Sequence, residues 1–166
     1  MRFSAEQRFE SSDPDVLASA FADPGLFEHY PAGERLARPE VVAHETAGDT
    51  VRLLIRYRFS GELSAAVRAV VDPARLSWVE RSTHDLATRT TSFVLEPDHY
   101  ADRLRCSGEV RIEPRGGGAV RTLTGDLRVK ALLVASTVER TIVQDLKDHL
   151  RAEVAVVEAY LADRRG

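Results

Sequence analysis

The sequence predicts an α+β fold: a first strand, two short helices, six further and mostly antiparallel strands, and one long C-terminal helix packed against the sheet. Three observations predict it. Through the middle of the chain, apolar residues alternate with polar ones at the strand period of two. Two Asp-Pro pairs, Asp13-Pro14 and Asp23-Pro24, place an N-cap acid before a proline at the first helical position. The last thirty residues carry an apolar stripe at steps of three and four. A chain of 166 residues suits a single domain, 1–166, with one core.

Each element has its own signal. Arg2 to Phe9 reads as a strand with Phe3 and Phe9 on one side by parity. The Asp-Pro pairs open a helix over Pro14 to Ala22 and a shorter one ending near Tyr30-Pro31. Arg38 to Thr46 and Thr50 to Phe59 form a hairpin around Ala47-Gly48-Asp49. Ser64 to Val71 reads as a short helix from its alanines and the spacing of Val67, Val70 and Val71, with a strand as the alternative. Four more strands follow over Arg75 to His84, Arg89 to Glu96, Asp102 to Pro114 and Ala119 to Val129. The last two are joined by Arg115-Gly116-Gly117-Gly118, where glycine tolerates positive φ. With 64–71 helical, the sheet has seven strands.

Ser136-Thr137-Val138-Glu139 has the S-x-x-E form of a capping box and predicts the start of the final helix. Val138, Ile142, Leu146, Leu150, Val154, Val157 and Leu161 continue its stripe. At about 27 residues such a helix is roughly 40 Å long, enough to cross a small sheet.

Composition excludes several classes. The net charge is −3, and the 23 basic residues, nearly all arginine, are spread along the chain, so no nucleic-acid face is expected. The single cysteine, Cys106, rules out an internal disulfide framework. No apolar run approaches the ~20 residues of a membrane span, and Met1 to Glu6 has no signal-type core, so a cytoplasmic location is expected. His29 and His44 stand alone, His84 precedes Asp85 in what reads as a turn, and His99 sits in a Pro97–Tyr100 loop. Without H-x-H or H-x-x-x-H spacing no metal is expected, and no cofactor motif is present. Gly116 to Gly118 lacks the lysine of a phosphate loop, and there is no G-x-S-x-G elbow.

The element order, together with the closing stretch Gly125-Asp126-Leu127-Arg128-Val129-Lys130 and Ser136 to Leu161, resembles the START-like (SRPBCC) helix-grip superfamily, which includes polyketide cyclase/dehydrase-like proteins. Within it the stretch is similar to an uncharacterised actinobacterial branch, a domain of unknown function. That branch often has proline and glycine between strand and helix, where this chain has Ala131-Leu132-Leu133-Val134-Ala135. The resemblance spans the chain as one START-like domain. It implies a curved seven-stranded antiparallel sheet wrapped around the long C-terminal helix, with a cavity between them for lipids, polyketides or other apolar molecules. Fold alone does not assign function.

Strand parity proposes an inward face that includes Val51, Leu53, Ile55 and Tyr57, then Leu76, Trp78 and Glu80, with Gly108, Val110, Leu127 and Val129 further along. Arg52, Arg56, Arg58, Arg81, Arg103, Arg105 and Arg111 fall on the opposite, solvated face. The ligand-lining set expected from strands and helix together is Leu53, Ile55, Tyr57, Trp78, Glu80, Thr91, Phe93, Cys106, Leu123, Ile142, Leu146 and His149. Any of them can instead simply fill the core. Trp78 and Tyr57 favour the cavity because each has a polar tip that needs a partner. Glu80 is either a carboxyl of raised pKa facing the ligand or, more commonly, a rim residue paired with arginine. His149 and Glu153, four apart beside the stripe, are either a proton-transfer pair or, more commonly, an exposed pair. Cys106 reads as a small buried hydrophobe.

The leading expectation is a non-catalytic protein that encloses a small hydrophobic molecule, lipid or polyketide-like. The second is a cyclase/dehydrase-type enzyme using Glu80, Tyr57, Thr91 and His149, and the third a protein-interaction module. No catalytic residue is assigned, and no signal speaks to the oligomeric state.

Overall fold

The computed structural model describes residues 1–131 and 133–166. Its elements are β1 (Arg2–Phe9), α1 (Pro14–Phe21), α2 (Pro24–His29), β2 (Glu40–Ala47), β3 (Thr50–Arg58), α3 (Ala65–Arg68), a 3-10 turn (Pro73–Arg75), β4 (Ser77–Asp85), β5 (Thr90–Pro97), β6 (Leu104–Arg115), β7 (Gly118–Val129) and α4 (Ala135–Asp163). Among the described residues these strands form one seven-stranded sheet in the order β1-β7-β6-β5-β4-β3-β2. Every neighbouring pair is antiparallel. The meander from β2 to β7 is closed by β1, which pairs with β7 from Arg2↔Asp126 to Phe9↔Ala119. The two Asp-Pro helices therefore carry the chain from one edge of the sheet to the other.

Local chemistry explains most boundaries. Asp13 Oδ1 accepts from the N–H groups of Asp15 and Val16 at 2.9 and 3.2 Å, and Asp23 Oδ1 accepts from Gly25 N–H at 2.9 Å. Gly48 and Gly116 hold the hairpin turns at φ +59°. Residues 64–71 contain the short helix α3, capped by Ser64. β4 starts at Ser77 rather than Arg75 because Asp72-Pro73 first makes a 3-10 turn.

Two expectations need correction. The capping box does not form: α4 begins at Ala135, with Val134 before it and no side-chain cap, so Ser136 lies inside the helix. Glu139 instead accepts the N–H of Val129, at the end of β7, at 2.9 Å, and stands 3.7 Å from the Met1 ammonium. A strand end with a free donor and a nearby positive charge outcompetes the helix terminus for that carboxylate. His84 is not in a turn but buried near the end of β4. In the connector between β7 and α4, Leu132 lies outside the described residues, and Leu133 has φ +68° and is fully exposed.

α4 lies on the concave face of the sheet against β1 and β7. Two cores flank its course. One joins Phe9, Leu17, Leu26, Leu53, Ile55 and Val157, the other Phe3, Phe93, Val110, Leu123, Leu127 and Leu150. Full burial of each such side chain is worth about 1.5–3 kcal/mol. The second core needs glycines opposite one another: Gly108 pairs with Gly125, and a Cβ on them would lie 2.7 Å from Phe93 and 2.5 Å from Phe3. Their missing side chains are the space those rings occupy. On the opposite face the arginines are largely solvated, as Arg81 is in its bond to Glu96 at 2.9 Å.

Candidate functional site

Between the two cores the sheet and α4 do not close on each other. They leave between them a cavity of about 670 Å³ that is partly open to solvent. β3 contributes Tyr57 and the chain just after it Phe59, β4 Trp78 and the residue before it Leu76, β6 Leu104 and Cys106, and α4 Val138, Ile142, Leu146 and His149. Val67, Val70 and Val71, in and after α3, cover one side, and Leu36 and Pro39 another. The walls are mainly apolar because these positions continue the inward parity of strands whose other face is wet.

The residues predicted to line a site divide into two groups. Tyr57, Trp78, Cys106, Ile142, Leu146 and His149 line the cavity. Leu53 and Ile55 are fully buried in one core, while Phe93 and Leu123 belong to the other, so these four pack rather than line. Thr91 is drawn away, its hydroxyl 3.0 Å from His84 Nδ1. Parity assigned these residues to the correct face, but where that face is sealed by helices its side chains touch protein instead of open volume.

Tyr57 and Trp78 stack with ring centroids 5.8 Å apart and planes 19° apart. Glu80 follows Trp78 on the same face of β4, between the cavity wall and the packed Ser82. Its register partners are Ile55 of the core and Leu95 of the cavity wall. Glu80 is half-buried and, although predicted to line the site, is not among the residues that line the cavity. Among the described residues neither its carboxyl nor the Tyr57 hydroxyl has a hydrogen-bond partner. Burial pushes the Glu80 carboxyl up to about 7, with Arg121 opposing and Glu153 adding to the shift. Burial, then the charges of Glu80 and Glu153, holds the Tyr57 hydroxyl well above its ordinary value. Glu80 is thus an inward carboxyl rather than a rim residue paired with arginine.

Glu153 is also not the exposed helix residue expected from its spacing; it is 8 % exposed. Its Oε2 accepts from Gln7 Nε2 at 2.8 Å and from Arg121 Nη1 at 3.2 Å, and its Oε1 accepts from the Tyr30 hydroxyl. Arg121 also donates to Gln7 Oε1 at 2.5 Å and lies over the Phe21 ring at 3.9 Å. His149 makes no proton-transfer pair with Glu153. The His149 ring stacks near Tyr30 at 6.4 Å instead. Burial and then Glu153 raise the Tyr30 hydroxyl, which keeps it a donor. Burial pushes His84 down to about 4, so it stays neutral beside Ser82 and Thr91. The Cys106 thiol is pushed up to about 12, chiefly by burial, consistent with an inert hydrophobe.

Gln7, Tyr30 and Arg121 were not among the predicted site residues, although parity carried a signal for two of them. Gln7 lies between Phe3 and Phe9 on the inward side of β1, and Arg121 shares the parity of Leu123 and Leu127. Among the described residues there is no group of three or more His, Cys, Asp or Glu able to hold a metal ion, and no helix is long and apolar enough to cross a membrane.

Comparisons with known proteins place this geometry. TTHA0849 from Thermus thermophilus is similar over 100% of both chains, with a TM-score of 0.67 at 16% identity. The Zhui aromatase/cyclase from Streptomyces sp. R1128 is similar over 97% of this chain and 96% of its own, with a TM-score of 0.59 at 16% identity. Norcoclaurine synthase from Thalictrum flavum is similar over 97% and 86%, with a TM-score of 0.60 at 18% identity. At these identities the likeness is one of fold, and the fold is the START-like helix grip. No curated protein matches the chain in sequence. The model of a family described as a protein of unknown function (DUF2505) matches residues 5–161.

Proposed function

The chain belongs to the DUF2505 family, and on that footing we propose that it binds a small hydrophobic molecule, lipid- or polyketide-like, in the cavity between its sheet and α4. The observation that carries this reading is the partly open cavity of about 670 Å³, walled mainly by apolar and aromatic side chains. Small-molecule sites have this size and this mix of many apolar and few polar contacts. An apolar occupant also restores dispersion contacts that the wall atoms lack on their open side. Two proteins sharing the fold are named as an aromatase/cyclase and a norcoclaurine synthase, which supports a small organic ligand.

A second reading, an acid/base enzyme of the cyclase/dehydrase kind, is favoured by one observation: the unpartnered Glu80 carboxyl stands near enough to the cavity-lining Tyr57 hydroxyl for its charge to raise that hydroxyl. His149 lines the same cavity as Tyr57, whereas Thr91 does not. An interaction module has less support, because the exposed large apolar residues Val16, Val42, Val94 and Leu133 belong to four separate segments.

Fluorescence titration with the neutral apolar dye N-phenyl-1-naphthylamine tests the binding reading. Saturable binding near one dye per chain is expected, weakened at least tenfold by Leu146→Trp, which fills the cavity from α4. A dye that does not saturate, or that binds the folded variant equally well, overturns it. Mass spectra of a molecule incubated with the protein separate the two leading readings: recovery unchanged means binding alone.

A further inference from the structure

We propose that Tyr57 is the polar anchor of the cavity, donating its hydroxyl to a carbonyl-type acceptor oxygen, as in a ketone or an ester, on an otherwise apolar ligand. This rests on the binding reading above and specifies the class of molecule that the site takes.

Several uncharged polar groups along the cavity already have protein partners. The Tyr30 hydroxyl donates to Glu153, the Ser77 hydroxyl to Asp98 at 2.6 Å, and the Thr141 hydroxyl to the Thr137 carbonyl at 3.0 Å. The Tyr57 hydroxyl and the Trp78 indole N–H belong to residues lining the same cavity, and neither has a hydrogen-bond partner among the described residues. An indole N–H only donates. Burial, then the charges of Glu80 and Glu153, keeps the proton on Tyr57, so its hydroxyl is a donor too. His149 also lines the cavity, but an imidazole donates or accepts according to its tautomer and so favours neither kind of ligand.

Position makes Tyr57 the anchor. It stands on β3 rather than on a loop, and its ring stacks on Trp78, its register partner on β4, at 5.8 Å between centroids. A side chain locked by packing on a strand holds its donor more precisely than one on a loop. A poorly solvated donor without a partner carries a desolvation penalty that a ligand acceptor removes. The cationic groups along the cavity, Arg35, Arg103 and Lys130, are exposed, so their donors are hydrated and an acceptor gains little by reaching them. A ligand head that only donates, such as an ammonium, covers the Tyr57 proton without pairing it.

Displacement of bound N-phenyl-1-naphthylamine by 2-decanone and by decylamine, an ammonium at pH 7, tests this in the parent and in Tyr57→Phe. The substitution should weaken 2-decanone about fivefold or more and shift decylamine less than about twofold. No weakening of 2-decanone, or an equal weakening of decylamine, overturns the anchor and, with saturable dye binding, leaves the binding reading standing. If the dye never saturates, or neither competitor displaces it, the cavity reading and the inference fall together. The infrared carbonyl stretch of bound 2-decanone is a second measurement that the parent alone supplies, whether or not the variant folds. It should lie below its position in hexane and return towards that position in Tyr57→Phe. A stretch at the hexane position overturns the proposal, and a lowered one that the substitution leaves in place overturns the assignment to Tyr57.

Discussion

Glu80 and His84 sit on one face of one strand and are pushed in opposite directions by the same cause, burial. Folded Glu80 holds its proton until about pH 7, against an ordinary value of 4.5. Across that window the folded state binds more protons than the unfolded, so this contribution to stability falls as pH rises. His84 titrates at about 4 instead of 6.5, so here the unfolded state binds more protons and stability rises with pH. Between pH 4.5 and 6.5 the two slopes oppose each other. The charged or titratable groups around Glu80 are Tyr57 on β3, Cys106 on β6, Arg121 on β7 and Glu153 on α4. Arg121 alone is a cation, and it favours the ionised form. Glu80→Gln should therefore match the parent near pH 4.5 and exceed it by about 2–3 kcal/mol at about pH 8. Urea denaturation at the two pH values checks this, and a difference independent of pH would contradict it.

At the scale of elements, the helices differ in what starts them. α1 is started by its own sequence, because Asp13 bonds two backbone donors of the first turn. α4 starts where β7 releases the chain, without a side-chain cap. Asp13→Ala should cost about 1 kcal/mol, whereas Ser136→Ala should stay within about 0.5 kcal/mol of the parent. Equal losses in thermal or chemical denaturation would mean that Ser136 caps α4 after all. The stripe on α4 also serves two surroundings. Val138, Leu150, Val157 and Leu161 are buried, while Ile142 and Leu146 are only half-buried because the cavity lies opposite them. The helix is thus both a core element and a cavity wall, and its length is what allows both.

At the scale of the whole molecule, Glu153 joins α4 to β1, to β7 and to the chain just after α2 through Gln7, Arg121 and Tyr30. Glu153→Ala should lower unfolding free energy by about 3–5 kcal/mol, because it leaves Arg121 buried without its carboxylate. A loss below about 1 kcal/mol in denaturant titration would show that the cluster does not hold the layers together. This network was the least legible part of the sequence. Gln7 and Leu150, joined at 2.6 Å, lie 143 residues apart, and no local pattern reports such a meeting. Glu153 itself stood beside the stripe, between Leu150 and Val157 in sequence, and its charge suggested a solvated position. By contrast, the strand positions, the two Asp-Pro caps, the hairpin glycines and the inward face of Tyr57 and Trp78 were readable, because period and capping depend on residues a few steps apart. Local sequence thus settles most of the elements and the inward face of most strands, though it left 64–71 open between helix and strand. Where that face is sealed, as at Leu53 and Ile55, and where it stays open, as at Tyr57, Trp78 and Leu146, is settled only once the elements assemble. Enclosure depends on how the curved sheet and the crossing helix meet, a long-range property that alternation along one strand does not encode.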